Sequence, residues 1–301
     1  MKFKKAIVHN WRLYVLMLPA LIWLIIFAYY PMYGLLISFK DYKGALGIMG
    51  SPWAKPIWKH FAEFFTTSIA GNVIRNTLVL SFLTILFSFP IPIVFAILLN
   101  QLNGKRKRKL IQTVSYAPYF ISNVVVVSIL NVICAPSGFV NTIIKGIIGR
   151  PLLLMSSAEY FRTMYIVSNI WQTMGFSAIV YIAALTGISP DYYEAAIMDG
   201  ATKLQRIRHI DLPLIMPTII IMLVLALGNV MTIGYEKVYL MQAGTNTQVS
   251  EIISTYVYKV GLQNAQYSFA TAVSLFNSVV NFLILMAANV VAKKTSDISI
   301  F

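Results

Sequence analysis

The chain has 301 residues, of which 58% are hydrophobic and only 11% are charged. An ordinary soluble domain is about 45–50% apolar and about 25% charged, so the composition excludes a water-soluble globule. The one cysteine, Cys134, cannot form an internal disulfide, and the three histidines are scattered along the chain. We therefore expect no metal site and no catalytic residues.

Charge-free runs predict the membrane-spanning segments. Six long runs lack Asp, Glu, Lys and Arg: 13–39, 76–104, 110–144, 163–190, 212–235 and 260–292. Each exceeds the roughly 20 apolar residues that a helix needs to cross the hydrocarbon core. The runs are apolar all round instead of alternating, which excludes a β-barrel, and the first is too long for a cleaved signal peptide.

The fold class expected is an all-α integral membrane protein with one transmembrane domain over residues 1–301. Trimming the runs at polar and helix-breaking residues places the six predicted spans at about 13–37, 76–99, 111–134, 164–187, 214–235 and 267–291. Pro90 and Pro92 predict a kink in the second span, because proline removes backbone hydrogen bonds. An aromatic-rich loop at 38–72 predicts a short helix on the outer surface, and the segment 135–162 is predicted to carry another.

The placement of positive charge predicts the orientation in the membrane. The net charge is +14, and 14 of the 24 Lys and Arg residues fall on the side that carries both termini. Positive residues concentrate on the cytoplasmic side, so both termini are expected there, in a cell or inner membrane. The block Lys105–Lys109 between spans two and three predicts contact with anionic lipid headgroups and not with nucleic acid.

The loop between spans four and five, residues 189–213, has an unusual local pattern. Ser189 can cap a helix that begins at Pro190. Gly200 can adopt positive φ, and Thr202 with Gln205 forms a capping box that begins a second helix. The sequence therefore predicts two short helices joined at a glycine and exposed to the cytoplasm.

This loop resembles the EAA signature of permease subunits in binding-protein-dependent ABC importers. The positions that match, together with an acid in the same helix, are Glu194, Ala195, Ala196, Asp199, Gly200, Ile210, Leu212 and Pro213. The resemblance implies the fold of type I importer permeases. It also implies that these residues couple the membrane helices to a separate ATPase subunit, because the first helix inserts into a cleft on that subunit.

Other stretches resemble the carbohydrate branch of the family, which includes maltose and glycerol-phosphate permeases. They comprise Asn76-Thr77, Gly138 through Asn141, Trp171, Gly175-Phe176 and Tyr181 through Leu185. The aromatic N-terminal half is most similar to a subgroup associated with complex or acidic oligosaccharides. The resemblance implies a second permease subunit, in a heterodimer, two ATPase subunits and an extracellular substrate-binding protein. The chain has no phosphate-binding GxxxxGK[ST] loop, so ATP and Mg are expected on the partner ATPase.

Polar residues inside the predicted spans are candidates for the substrate passage. Uncharged hydrogen-bonding groups and aromatic rings suit a sugar, and spacings of three and four residues place them on shared helix faces. The candidates are Tyr119, Asn123, Trp171, Gln172, Gly175, Ser274, Ser278 and Asn281. In the alternative interpretation, the Asn and Ser side chains make helix-to-helix hydrogen bonds, while Tyr119 and Trp171 lie in packing contacts or at the membrane interface.

Three other functions remain as alternatives. An importer permease for amino acids, metals or phosphate esters has the same EAA loop. A secondary transporter requires coupling carboxylates or histidines inside the spans, and the six runs contain none. A membrane enzyme requires a nucleophile with a base or a metal cluster, and the sequence shows no such group.

Overall fold

The computed structural model describes residues 11–296. The tail residues Lys2, Lys4 and Lys5, which contribute to the predicted cytoplasmic N-terminus, lie outside the described residues. In chain order the helices are α1 (Trp11–Phe39), α2 (Lys59–Thr66), α3 (Ala70–Asn100), α4 (Lys105–Phe120), α5 (Asn123–Ile133), α6 (Phe139–Ile148), α7 (Ala158–Thr186), α8 (Pro190–Met198), α9 (Lys203–Leu227), α10 (Tyr235–Leu240), α11 (Thr247–Ser250), α12 (Ile253–Tyr258) and α13 (Tyr267–Ser296). Short helical turns also occur at Gly44–Leu46 and Gly47–Gly50.

The helices confirm an all-α membrane protein. Within residues 11–296 the backbone forms no β-strand, only an isolated bridge between Lys40 and Trp53. Five helices, α1, α3, α7, α9 and α13, are long and apolar enough to cross a membrane, and α4 with α5 makes a sixth span if that bent pair is counted as one. Many large apolar side chains on these helices face outward, as expected where lipid replaces water.

The third predicted span is not a straight helix. The sequence predicts one helix over 111–134, but α4 and α5 meet at an angle of 97°. A 3₁₀ turn at Ala117–Phe120 contains Pro118, and Ser122 caps α5 by accepting a hydrogen bond from the backbone N–H of Val125 at 3.4 Å. Proline and the serine cap end one helix and begin the next, which explains the break.

The fifth span differs from its predicted limits of 214–235. Its helix ends at Leu227, and irregular backbone leads from there to α10. At its other end the predicted second short helix is continuous with the span, through a π-helical turn at Ile207–Asp211. Pro213 lies in the first turn of the α-helix that follows, where a missing N–H costs little.

Two further expectations concern the second span and the loops. Pro90 and Pro92 lie where the α-helical pattern is interrupted at Phe89, and α3 nevertheless continues as one apolar span of 31 residues. The short helices predicted in the loops are confirmed as α2 and α6. Phe64 of α2 is buried and packs against Phe269 and Phe276, so it contributes to a core instead of a membrane-surface anchor.

The described chain divides into two compact units. The first contains residues up to Thr67 together with Val257–Phe276, and the second contains Ser68–Tyr256 with the segment from Asn277 onward. In the second unit α7 packs along the later part of α3. A buried apolar cluster joins these helices to α9 through Ile93, Ala96, Ile97, Ala178, Tyr181, Leu185 and Ile215. All of the coupling loop and the polar cavity described below belong to this second unit.

Candidate functional site

The loop 189–213 has the local geometry that its sequence predicts. Ser189 Oγ accepts a hydrogen bond from the backbone N–H of Asp191, and Pro190 is the first residue of α8. Gly200 has φ +73°, a left-handed conformation that favours glycine. Thr202 and Gln205 form the complete capping box at the start of α9.

The loop exposes an apolar surface beside its acidic residues. Glu194 and Asp199 are exposed, and 87% of Met198 is accessible. Tyr192, Ile197 and Leu204 are also exposed apolar or aromatic side chains. Such a patch outside the spans is typical of a protein–protein contact surface.

The end of the loop, from Ile207 onward, contributes side chains that pack against the spans. Leu212 and Ile207 pack against the buried cluster that joins α3, α7 and α9, and Ile210 is half-buried. The motif is therefore divided: Glu194 through Gly200 face outward, and the segment that ends in Leu212 is attached to the membrane helices.

A buried carboxylate, which the sequence reasoning did not select, attaches the two halves to each other. Asp211 is fully buried; it accepts hydrogen bonds from Tyr193 Oη at 2.5 Å and from Gln101 Nε2 at 2.8 Å. Tyr193 lies on α8, Gln101 follows α3, and Asp211 lies on α9. Burial, together with the hydrogen bond to Asp211, raises the pKa of Tyr193 to about 12, so its hydroxyl remains a donor at neutral pH.

A second site is a polar cavity at the break of the third span. Its volume is about 360 Å³. The side chains on its wall come from the turn between α4 and α5, from α7 and from α10, and include Tyr119, Ser122, Asn123, Gln172, Glu236 and Lys237. A cavity of this size with converging polar groups is typical of a small-molecule site.

A chain of hydrogen bonds crosses the wall of this cavity. Lys237 Nζ donates to Gln172 Oε1 at 3.0 Å. Gln172 Nε2 donates to the carbonyl of Ile121 at 3.0 Å and to Asn123 Oδ1 at 3.3 Å. Asn123 Nδ2 in turn donates to Glu236 Oε2 at 2.6 Å. Two amides thus connect an ammonium group to a carboxylate, and each amide has its orientation set by its charged neighbour.

Only three of the predicted passage residues line this cavity: Tyr119, Asn123 and Gln172. Tyr119 stacks on Phe176, with ring centroids 3.8 Å apart and planes inclined by 4°. The cavity also contains Glu236 and Lys237, which the sequence reasoning missed because they follow directly after a charge-free run. Two consecutive charged residues at the end of an apolar run were the sequence signal that could have identified them.

The other predicted passage residues lie elsewhere. Trp171 is exposed outside the cavity wall, and Gly175 faces the backbone of Ser115, where an added Cβ would lie 2.1 Å from the carbonyl oxygen. Asn281 is buried and accepts a hydrogen bond from the backbone N–H of Met231 at 2.8 Å. On α13, Ser274 is half-buried and Ser278 is exposed. Gly175 thus makes a close packing contact, and Asn281 makes an intramolecular hydrogen bond, which was the alternative interpretation for the asparagines.

Residues that carry the carbohydrate-branch resemblance have structural contacts in this unit. Asn76 Nδ2 donates to the backbone carbonyls of Gln248 and Glu251, at 3.0 and 3.1 Å. Asn141 donates to three backbone carbonyls and accepts from the N–H of Leu152 at 2.7 Å. Buried amides with several backbone partners hold irregular segments in place. Within residues 11–296 no group of three or more His, Cys, Asp or Glu side chains is arranged to hold a metal ion.

Comparison with known proteins identifies the family. Residues 64–297 match the family described as binding-protein-dependent transport system inner membrane component, and the chain belongs to this family. It is a multi-pass inner-membrane transport component and not an enzyme.

Relatives and solved structures cover nearly the whole chain. Protein LplB of Bacillus subtilis (strain 168) is 41% identical over 96% of this chain and 91% of its own length. The polygalacturonan/rhamnogalacturonan transport system permease protein YteP of the same organism is also 41% identical, over 96% of this chain and 90% of its own length. A chain in a crystal structure of a bacterial ABC transporter for the acidic polysaccharide alginate matches with TM-score 0.89 and 40% identity, over 98% of this chain and 100% of that one.

A second crystal structure contains such a transporter together with a periplasmic protein. It is the alginate transporter in complex with an alginate pentasaccharide-bound periplasmic protein, and its matching chain has TM-score 0.90 and 39% identity, with full coverage of both chains. These likenesses confirm the type I importer permease fold and the sugar-permease resemblance inferred from the loop and its surrounding motifs.

Proposed function

We propose that this chain is the permease subunit of an ATP-driven importer that moves an oligosaccharide containing uronic acids into the cytoplasm. The observation that carries the proposal is full-length likeness, at about 40% identity, to a permease chain from an importer of the acidic polysaccharide alginate. The polygalacturonan/rhamnogalacturonan permease supports the same substrate class. Permeases for amino acids, metals and phosphate esters are disfavoured, because several named relatives of this chain transport sugars.

The polar cavity supports a sugar as the substrate. Stacked Tyr119 and Phe176 present an aromatic surface next to amide and carboxylate groups. Aromatic rings pack against the apolar face of a pyranose, and amides and carboxylates bind its hydroxyls. Within the proposed passage, Tyr119, Asn123 and Gln172 therefore contact the sugar.

Coupling to ATP hydrolysis takes place through the loop 189–213. The exposed half, from Glu194 to Gly200, docks on an ATPase subunit, and the half that contains Ile210, Leu212 and Pro213 transmits the movement to α9. ATP and Mg bind that partner subunit, because this chain lacks a phosphate-binding loop. The loop and both termini lie in the cytoplasm, because positive residues concentrate on that side of the membrane.

The complete transporter contains three further kinds of subunit. We infer a second permease that pairs with this chain as a heterodimer, two ATPase subunits, and an extracellular protein that delivers the oligosaccharide. The periplasmic protein bound in the alginate transporter structure supports the last of these. The apolar outer surfaces of the spans contact membrane lipid, and the basic block at Lys105–Lys109 contacts lipid headgroups.

Uptake into proteoliposomes tests the substrate class. The complete transporter with its delivery protein is supplied with a radiolabelled trisaccharide of galacturonic acid, and separately with the same trisaccharide after its carboxyl groups are reduced to alcohols. We expect ATP-dependent uptake of the acidic probe, and none when this chain is left out. Failure to import either oligosaccharide, while an amino acid or metal ion is imported, would contradict the proposal.

A further inference from the structure

Lys237 is a buried lysine in the wall of the polar cavity, and the hydrogen bonds of that cavity give it no counter-charge. It lies on α10 and is 3% exposed. A lysine ammonium has three N–H donors, and Gln172 Oε1 accepts from one of them at 3.0 Å. The ammonium group also lies over the ring of Tyr165, whose centroid is 6.0 Å from Nζ.

No carboxylate among residues 11–296 lies within 4.0 Å of this ammonium group. Glu236 is adjacent in sequence, but its side chain is exposed and its Oε2 accepts from Asn123. Burying an ammonium group without an opposite charge is costly, and such groups inside membrane proteins mark binding or transport sites. The remaining donors of Lys237 therefore call for an anionic partner from outside the described chain.

The position of Lys237 shows where that partner would come from. The residue forms part of the wall of the 360 Å³ cavity, together with Tyr119 and Asn123. Gln172 holds the ammonium group from the α7 side and is itself fixed by the carbonyl of Ile121, at the break of the third span. The ammonium group is thus preorganised beside a space large enough for a sugar ring.

We propose that Lys237 binds the carboxylate of a uronic acid residue as the oligosaccharide passes through this cavity, and that Gln172 positions the ammonium group for this contact. This role rests on the function proposed above, and it makes one residue responsible for the transporter's selectivity for acidic sugars. Glu236 and Asn123 form the opposite end of the hydrogen-bonded chain. A carboxylate is repelled by Glu236, so the sugar's hydroxyl edge faces Glu236 and Asn123 while its acid faces Lys237.

Uptake by variants of the complete transporter tests this assignment, with the delivery protein at saturating concentration. Lys237→Gln should lower uptake of the galacturonic acid trisaccharide by about tenfold or more, because a charge-assisted contact is lost. Lys237→Arg should restore most of that uptake. The matched control is Lys145→Gln, which removes an exposed positive charge from α6 and should leave uptake unchanged.

The carboxyl-reduced trisaccharide separates a role in binding from a role in folding. If Lys237 binds the carboxylate, Lys237→Gln lowers uptake of the acidic trisaccharide relative to uptake of the carboxyl-reduced one. Subunit abundance and the ATP hydrolysis stimulated by the delivery protein stay unchanged. If Lys237→Gln does not accumulate, Lys237→Met removes the buried charge at similar volume, and the same ratio is measured. An unchanged ratio in a correctly assembled variant would overturn the assignment to Lys237.

The same experiment distinguishes the two proposals. A wild-type transporter that imports the acidic trisaccharide, with variants that import it equally well, contradicts the role of Lys237 and leaves the proposed function standing. A wild-type transporter that imports neither trisaccharide contradicts the proposed function and with it the role of Lys237.

Discussion

Asp211 connects three segments of the chain through hydrogen bonds. Its carboxylate accepts from Tyr193 on the coupling helix α8 and from Gln101 after α3. A hydrogen bond to a charged, buried group is worth about 1.5–3 kcal/mol, which is more than a neutral one contributes. The carboxylate therefore links α8 to the ends of α3 and α9 through hydrogen bonds.

Asp211→Asn should weaken this connection without preventing membrane insertion. The amide keeps the shape but loses the charge, so we expect less oligosaccharide uptake per ATP hydrolysed by the complete transporter. Tyr193→Phe should have a similar effect, and its size should be the same at about pH 6 and about pH 9, because Tyr193 stays protonated across that range. The control is Glu159→Gln, an exposed acid at the start of α7. Wild-type uptake per ATP hydrolysed in both Asp211→Asn and Tyr193→Phe would refute the role of Asp211.

Gly175 illustrates a residue whose small size is required by packing. An added Cβ would lie 2.1 Å from the carbonyl oxygen of Ser115, so α7 and α4 must separate to accept it. Gly175→Ala should lower the amount of folded subunit in the membrane and its melting temperature, by a destabilisation of about 1–3 kcal/mol. Gly146→Ala on α6 is the matched control, because nothing lies within 4 Å of its Cβ position. Equal melting temperatures for the two variants would show that α7 and α4 are not in close contact here.

At the scale of elements, α8 is a short helix that exposes three large apolar or aromatic side chains, Tyr192, Ile197 and Met198. Ser189 and Pro190 begin the helix, and Gly200 turns the chain after it, so local geometry defines both ends of the proposed docking surface. Glu194 is exposed on this surface. A partner that docks here meets the carboxylate directly.

Glu194→Lys should therefore uncouple transport. We expect the variant to insert in the membrane and to lose uptake and co-purification of the ATPase subunits, because the charge at the docking surface is reversed. Glu159→Lys makes the same change at an exposed site on α7 and should behave as wild type. Normal uptake by Glu194→Lys, with undiminished co-purification, would exclude a coupling role for this carboxylate.

The sequence predicts most helices correctly because hydrocarbon permits few alternatives. A charge-free run must form a helix in lipid, so five of the predicted spans appear as continuous helices near their expected positions. The break between α4 and α5 was missed because both sides of it are apolar, and charge counting does not register it. Pro118 and Ser122 were the local signals, a helix stop followed by a helix cap.

The site was predicted unevenly, for a related reason. The loop 189–213 depends on local capping and turn preferences, which a sequence shows directly. The polar cavity depends on which helix faces meet, and spacing alone placed Tyr119 and Asn123 in it as readily as Gly175, which packs against a helix backbone. Lys237 and Asp211 were missed because charges beside an apolar run were assigned to loops.

At the scale of the whole molecule, the chain is one component of a larger transporter. It has the fold of a permease, and its sequence contains no GxxxxGK[ST] phosphate-binding loop. The loop 189–213 exposes Met198 and Glu194. The proposed function therefore depends on contact between this loop and an ATP-binding partner.

Photocrosslinking from the tip of the coupling helix tests that contact most directly. Met198→Cys, in a Cys134→Ser background, is labelled with a benzophenone maleimide in the complete transporter and irradiated. The proposed function predicts a crosslink to a polypeptide that binds ATP, and no such crosslink from Ile147→Cys, a similarly exposed position on α6. A transporter that is active in uptake but gives no ATPase crosslink from position 198, or gives the same crosslink from position 147, would contradict the proposed function.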